Sequence, residues 1–166
     1  MPELKRLHKD AIPAAVEKAI RYRLLNEPGE AESICLDVLE VDPENQEAII
    51  TLLLALTDRF TKDYGVSDTQ IKQLLARIRD DYERAYYSGI FAERRAKAKL
   101  AQHTPGCRFQ AYDLFREAMH WFEKAEASRP ADNDDALLRW NTCARIIGRN
   151  KLVPREEEEP VEFSLE

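Results

Sequence analysis

One spaced pattern occurs twice in this chain. A small residue is followed four positions on by Cys or an aromatic, three further on by a small apolar residue, and five beyond that by proline. The two sets are Ala31, Cys35, Val38, Pro43 and Ala118, Phe122, Ala125, Pro130. The first three positions of each set share one face of a helix, and the proline cannot continue that helix. Each set therefore marks the outer half of a helix pair. Recurrence of one helical unit predicts helix pairs stacked side by side, each covering the apolar stripe its neighbour cannot cover alone. An architecture of that kind is expected to bind other proteins and to perform no chemistry.

Composition agrees with a helical body. The chain has 166 residues, 44% hydrophobic and 34% charged, and only 5 glycines, so it is rich in helix formers and poor in turn signals. The formal net charge of −6 disfavours binding to a phosphate backbone. No apolar run approaches the roughly 20 residues needed to cross a bilayer. Met1–Asp10 is charged and lacks the apolar stretch of a secretion signal. The 3 cysteines are far apart and odd in number, which reads as free thiols in a reducing compartment and gives a cytoplasmic expectation.

The hydrophobic period places seven helices. The first begins near Asp10, taken as its N-cap, with Ile12, Ala15, Val16, Ala19, Ile20 and Leu24 on one face. The second runs from about Pro28 to Val41. The third, from about Pro43 to Lys62, is apolar nearly all round, with only Glu47, Thr51 and Asp58 as a thin polar stripe, so it belongs at the centre of the domain. Ser67 with Gln70 caps a fourth helix carrying Ile71, Leu74, Leu75 and Ile78. A break near Arg79–Asp81 is favoured over a continuous helix, with Asp80 and Glu83 capping a fifth that reaches about His103. Gly89 inside it allows another backbone to come close. The sixth covers about Cys107 to Ser128. The seventh starts at Asp134 or Asp135 and stops near Gly148. Residues 151–166, with Glu156–Glu159 between two prolines, read as a disordered acidic tail, in which Val161, Phe163 and Leu165 alternate with polar residues.

Ile12–Asn45 spans 34 residues, the unit length of a tetratricopeptide repeat (TPR). Ala19 and Tyr22 fall at the small and aromatic positions of that repeat's first helix. Ala31, Val38 and Asp42-Pro43 fall at the second-helix positions and exit, and Ala118, Phe122, Ala125 and Pro130 match more closely still. Cys35 stands where an aromatic is usual and Ala15 where Trp is usual. The chain resembles a divergent TPR protein. The resemblance implies an all-α fold, a right-handed superhelical stack of antiparallel helix pairs, with about seven helices in residues 1–150. Repeats would lie near 12–45, 46–79 and 80–130, with a capping helix at 134–148.

The resemblance also implies a concave groove lined by the first helix of each pair. Its candidate lining is Val16, Ile20, Ile50 and Leu54, which would receive an apolar partner segment, the chain's own later helices or a second copy. Arg94, Arg95, Lys97 and Lys99 form the tightest basic cluster, with Arg94 and Lys97 on one side of their helix and Arg95 and Lys99 on the other. They read as a carboxylate or phosphate clamp or as an ordinary solvated face. Tyr87 and Trp140 are the aromatic candidates for an interface, the other aromatics being core. Glu93 reads as a structural ion pair. The histidines share no helical spacing, no His–Cys set has metal-ligand spacing, and no phosphate loop or nucleophile motif occurs. The expectation is therefore a cytoplasmic protein-binding adaptor with no cofactor, metal, nucleic-acid or membrane partner, and not an enzyme. The alternative is a self-associating structural protein, a homodimer whose groove is covered by its second copy.

Overall fold

The computed structural model describes residues 1–61 and 67–157. Among these, every regular element is helical: α1 Ile12–Leu24, α2 Pro28–Val41, α3 Gln46–Thr57, α4 Asp68–Ala76, α5 Asp81–Gln102, α6 Cys107–Ala127 and α7 Asp135–Asn150. A single 3-10 turn, Lys9–Ala11, leads into α1. Each helix packs on the next, and α3 also touches α1 and α5. No helix of the described residues is long and apolar enough to cross a membrane.

The repeated sequence pattern marks packing positions. Ala31, Cys35, Val38, Ala118, Phe122 and Ala125 are all at most 1% exposed. The all-apolar helix is buried as its composition demands, with Ala48, Ile49, Leu52, Leu53, Ala55 and Leu56 covered by α1, α2, α4 and α5. Of its polar stripe only Glu47 is exposed. Thr51 and Thr57 are buried, and Asp58 turns inward to meet arginines from two other helices.

Several helix ends differ from the sequence expectation for local reasons. Asp10 does not cap α1, because the 3-10 turn delivers the chain through Ala11 with no side-chain cap. The third helix starts at Gln46 instead of Pro43, since the Asn45 side chain accepts the Ala48 amide at 2.9 Å and so fixes the N-terminus there. It ends at Thr57; the expected end at Lys62 lies outside the described residues. Gly148 does not stop α7, which continues to Asn150. Lys151 adopts the left-handed conformation, its amide donating to Gly148 O and that of Leu152 to Ile147 O. This is a Schellman closure, and it tucks Leu152 into the core beside Ile147. The chain past α7 is thus anchored at its start, and Arg155 lies over the Phe109 ring, 5.5 Å from its centroid. Val161, Phe163 and Leu165 lie outside the described residues.

The break between α4 and α5 falls where the capping signals place it. Asp80 accepts the Glu83 amide at 2.8 Å. Gln46 bridges the gap from the start of α3, donating to Arg77 O and accepting from the Arg79 amide. Ser67 caps α4 through the Thr69 amide.

The core has two large clusters. One joins α5, α6 and α7 around Phe115 and Phe122, and the other centres on α3 and α4 around Ile49, Leu53, Leu56 and Ile71, with Ala19 of α1, Cys35 of α2 and Phe91 of α5 packed into it. A third, of Val16, Val38 and Ala48, ties α1 to α2 and α3. Leu54 and Tyr87 touch both large clusters. Gly89 makes room for a ring and not for a backbone. A Cβ there would lie 2.5 Å from Phe122 Cε1, whereas one on Gly148 would meet nothing within 4 Å. Gly89→Ala is therefore expected to cost about 1–3 kcal/mol through overpacking. Gly148→Ala is expected to gain up to about 1 kcal/mol from helix propensity. Urea unfolding of the two variants checks the opposite signs.

Candidate functional site

The odd-numbered helices present their next charged turn to one another. Val16 and Ile20 on α1 lead to Arg23, Leu54 on α3 leads to Asp58, and α5 contributes Glu93, Arg94 and Lys97. Asp58, just past α3, meets Arg23 at 2.7 Å from α1 and Arg94 at 2.7 Å from α5. Arg23 Nε has no acceptor in line, and its directed hydrogen bond is the 3.3 Å one from Nη2. Arg94 also donates to Leu54 O at 2.9 Å and Thr57 Oγ1 at 2.6 Å. It thereby places a cation at the C-terminus of α3, whose own last turn has none.

One residue earlier on α5, Glu93 is only 1% exposed. Its Oε2 accepts from Arg139 of α7 at 3.2 Å and lies 3.5 Å from Lys97 Nζ, while Oε1 accepts from the Cys143 thiol at 3.6 Å. The result is a ladder, Arg23–Asp58–Arg94 then Lys97–Glu93–Arg139, that crosses α1, α3, α5 and α7. In it two carboxylates serve four cations.

Electrostatics follow from this crowding. Burial lowers the affinity of Arg94 for its proton, Asp58 opposes that, and Arg23 and Arg139 add to it, so the cations sense one another across the face. Burial also acts to lower Arg139, but Glu93 and Tyr86 outweigh it and the net direction is up. Burial, with Tyr86 and Glu83 adding and Arg23 opposing, pushes the Tyr87 phenol up to about 12. Burial followed by Glu93 pushes the Cys143 thiol up to about 12, which holds it protonated and non-nucleophilic. Cys35 is likewise pushed up to about 12, by burial and Glu32. All three cysteines are free and buried. No group of three His, Cys, Asp or Glu side chains among the described residues is placed to hold a metal ion.

The structure sorts the sequence candidates. Ile20, Ile50, Leu54 and Tyr87 are half-buried on α1, α3 and α5. Val16 does not line an open face: it is 3% exposed and packs on Val38 and Ala48, because its turn of α1 points at α2 and α3. The basic cluster divides. Arg94 goes to α3 and Lys97 to Glu93, while Arg95 turns to Asp68 of α4 at 3.1 Å and lies over the Phe91 ring. Trp140 sits against α6, its indole donating to Glu123 at 2.9 Å, apart from the ladder. Arg23, Asp58 and Arg139 were not singled out from sequence. The signal available was a charged residue continuing the apolar register of α1 and α3 by one turn.

Comparison of the chain with protein-family models, curated proteins and solved structures finds no match in any of the three.

Glu93→Gln leaves Arg139 and Lys97 without their counter-charge. The expected loss is about 1–3 kcal/mol, because both cations are partly exposed and hydrate once unpaired, with coupling to Arg139→Gln in a double-mutant cycle. The thiols set a pH dependence. Between about 9, where an unfolded thiol ionises, and about 12, where Cys35 and Cys143 do, the folded chain holds more protons than the unfolded one. Stability therefore falls as pH rises through that window. Urea midpoints at stepped pH should show a shallower fall in a Cys35→Ala, Cys143→Ala variant.

Proposed function

We propose that the helix pairs form a TPR-like right-handed superhelix with α1, α3, α5 and α7 along its concave side. In this reading the chain is a cytoplasmic adaptor that binds a peptide or helix of a partner protein on that side. The observation that carries the reading is the half-buried row Ile20, Ile50, Leu54 and Tyr87, on three helices pinned together by the ion-pair ladder. Side chains of this kind bury further apolar area when a partner lies on them, and the helices that hold them are already ordered. Rigid presentation leaves most of the ordering cost with the partner. The mechanism is passive and needs no group that moves protons.

A photo-crosslinking residue placed at Ile50 or Tyr87 is expected to join the chain to a partner protein in its native cells. The same residue at Glu117, exposed on α6, is not. Equal crosslinking from all three positions would overturn the proposal. Crosslinks only between copies of the chain, with a dimer mass by light scattering, would replace it with self-association.

A further inference from the structure

We infer that the odd-helix face recognises an acidic segment of a partner protein, one in which carboxylates are interleaved with apolar residues. The inference rests on the adaptor reading above and names the chemistry of its ligand. Within the ladder each carboxylate is shared by two cations: Asp58 by Arg23 and Arg94, and Glu93 by Lys97 and Arg139. Each triad carries one uncompensated positive charge. The Glu93 triad keeps donors toward solvent, since the Lys97 side chain is 42% exposed and that of Arg139 is 39% exposed, whereas Arg23 and Arg94 are largely covered. Glu83, at the N-terminal end of α5 near Tyr87, is the acidic counterweight on the same helix, so the face is positive toward the C-terminal part of α5 and negative toward its start.

Charge bookkeeping over the whole chain sharpens the point. Residues 1–155 carry 25 cationic and 25 anionic side chains, and all of the net −6 resides in the glutamates of residues 156–166. The folded body is therefore neutral, and two surplus cations in one ladder are a local feature and not part of a general basic surface. A neutral body lacks the field that holds a nucleic acid, whose binding needs many phosphate contacts. Lys97 and Arg139, toward the C-terminal part of α5 from Tyr87, suit carboxylates of a segment whose apolar side chains lie over Ile50, Leu54 and Tyr87.

The test uses a fluorescent synthetic peptide, Glu-Glu-Glu-Glu-Pro-Val-Glu-Phe-Ser-Leu-Glu, which copies residues 156–166 and has the required alternation. A version with every Glu replaced by Gln and a single-stranded oligothymidine serve as controls. Each is titrated by anisotropy into the full chain. Each is also titrated into a full chain carrying Glu156→Gln, Glu157→Gln, Glu158→Gln and Glu159→Gln, so that the chain's own carboxylates do not compete. The acidic peptide is expected to bind both chains and the all-Gln peptide neither. Binding should weaken between about 50 and about 200 mM salt. Lys97→Gln, which alters an exposed cation, should weaken it roughly tenfold, the value of one charged hydrogen bond. Arg116→Gln on the outer surface of α6 should leave it unchanged, with circular dichroism verifying the fold of both variants.

No binding by either chain at about 50 mM salt, or equal weakening by Arg116→Gln, overturns the inference. So does tighter binding of oligothymidine. Binding only by the chain with neutralised glutamates gives the face to the chain's own acidic residues and overturns an external partner. Any of these results can coexist with crosslinks from Ile50 and Tyr87, which would leave the adaptor reading standing with a ligand of different chemistry.

Discussion

A carboxylate withdrawn from water is tolerated only where opposite charge and hydrogen-bond donors meet it on the spot. Glu93 imposes that condition at the middle of the longest helix. Arg139 must reach it from α7, Lys97 must fold back from the next turn of α5, and the Cys143 thiol occupies the remaining oxygen. The neighbouring residue, Arg94, extends the condition to α3 and through Asp58 to α1. Apolar burial supplies most of the driving force for this fold, but it is non-directional and leaves neighbouring registers close in energy. The ladder discriminates among them, because sliding any odd helix by one turn would strand a charge.

The same arrangement changes the meaning of the basic cluster on α5. Read along the sequence, Arg94, Arg95 and Lys97 form one patch. In the fold they serve three different acceptors, Asp58, Asp68 and Glu93. What faces outward is the positive charge left after the pairing, carried by Lys97 of α5 and Arg139 of α7. An attractive surface built this way is weak in total charge and fixed in position, which favours selectivity over raw affinity.

Much of the fold was legible. Asn26, Pro28, Asp80 and Pro130 are local signals whose physics does not depend on the rest of the chain, so α2 and the start of α5 fall where they indicate. Misplaced ends arose where a local rule had a competitor. Asn45 capped better than Pro43 could begin, and burial of Leu152 drew α7 past Gly148. The seven helices were readable from period and punctuation, and so was the central place of α3. The ladder was not. Its pairs between helices are separated by 35 to 46 residues and leave no mark in any helical window; only Lys97–Glu93, four residues apart, falls inside one. Val16 illustrates the opposite error, in which a residue type suited to an open face is consumed by the core.

Leu54 and Tyr87 are the side chains that touch both large cores, and α5 packs far more extensively on α6 than on α3 or α4. The two cores therefore meet along α5, which gives Phe91 to one and Ile90 to the other, with Arg94 tying α5 to the end of α3. A ligand lying over Ile50, Leu54 and Tyr87 would cover the seam between the two cores. Its burial would then add apolar area to both cores at once.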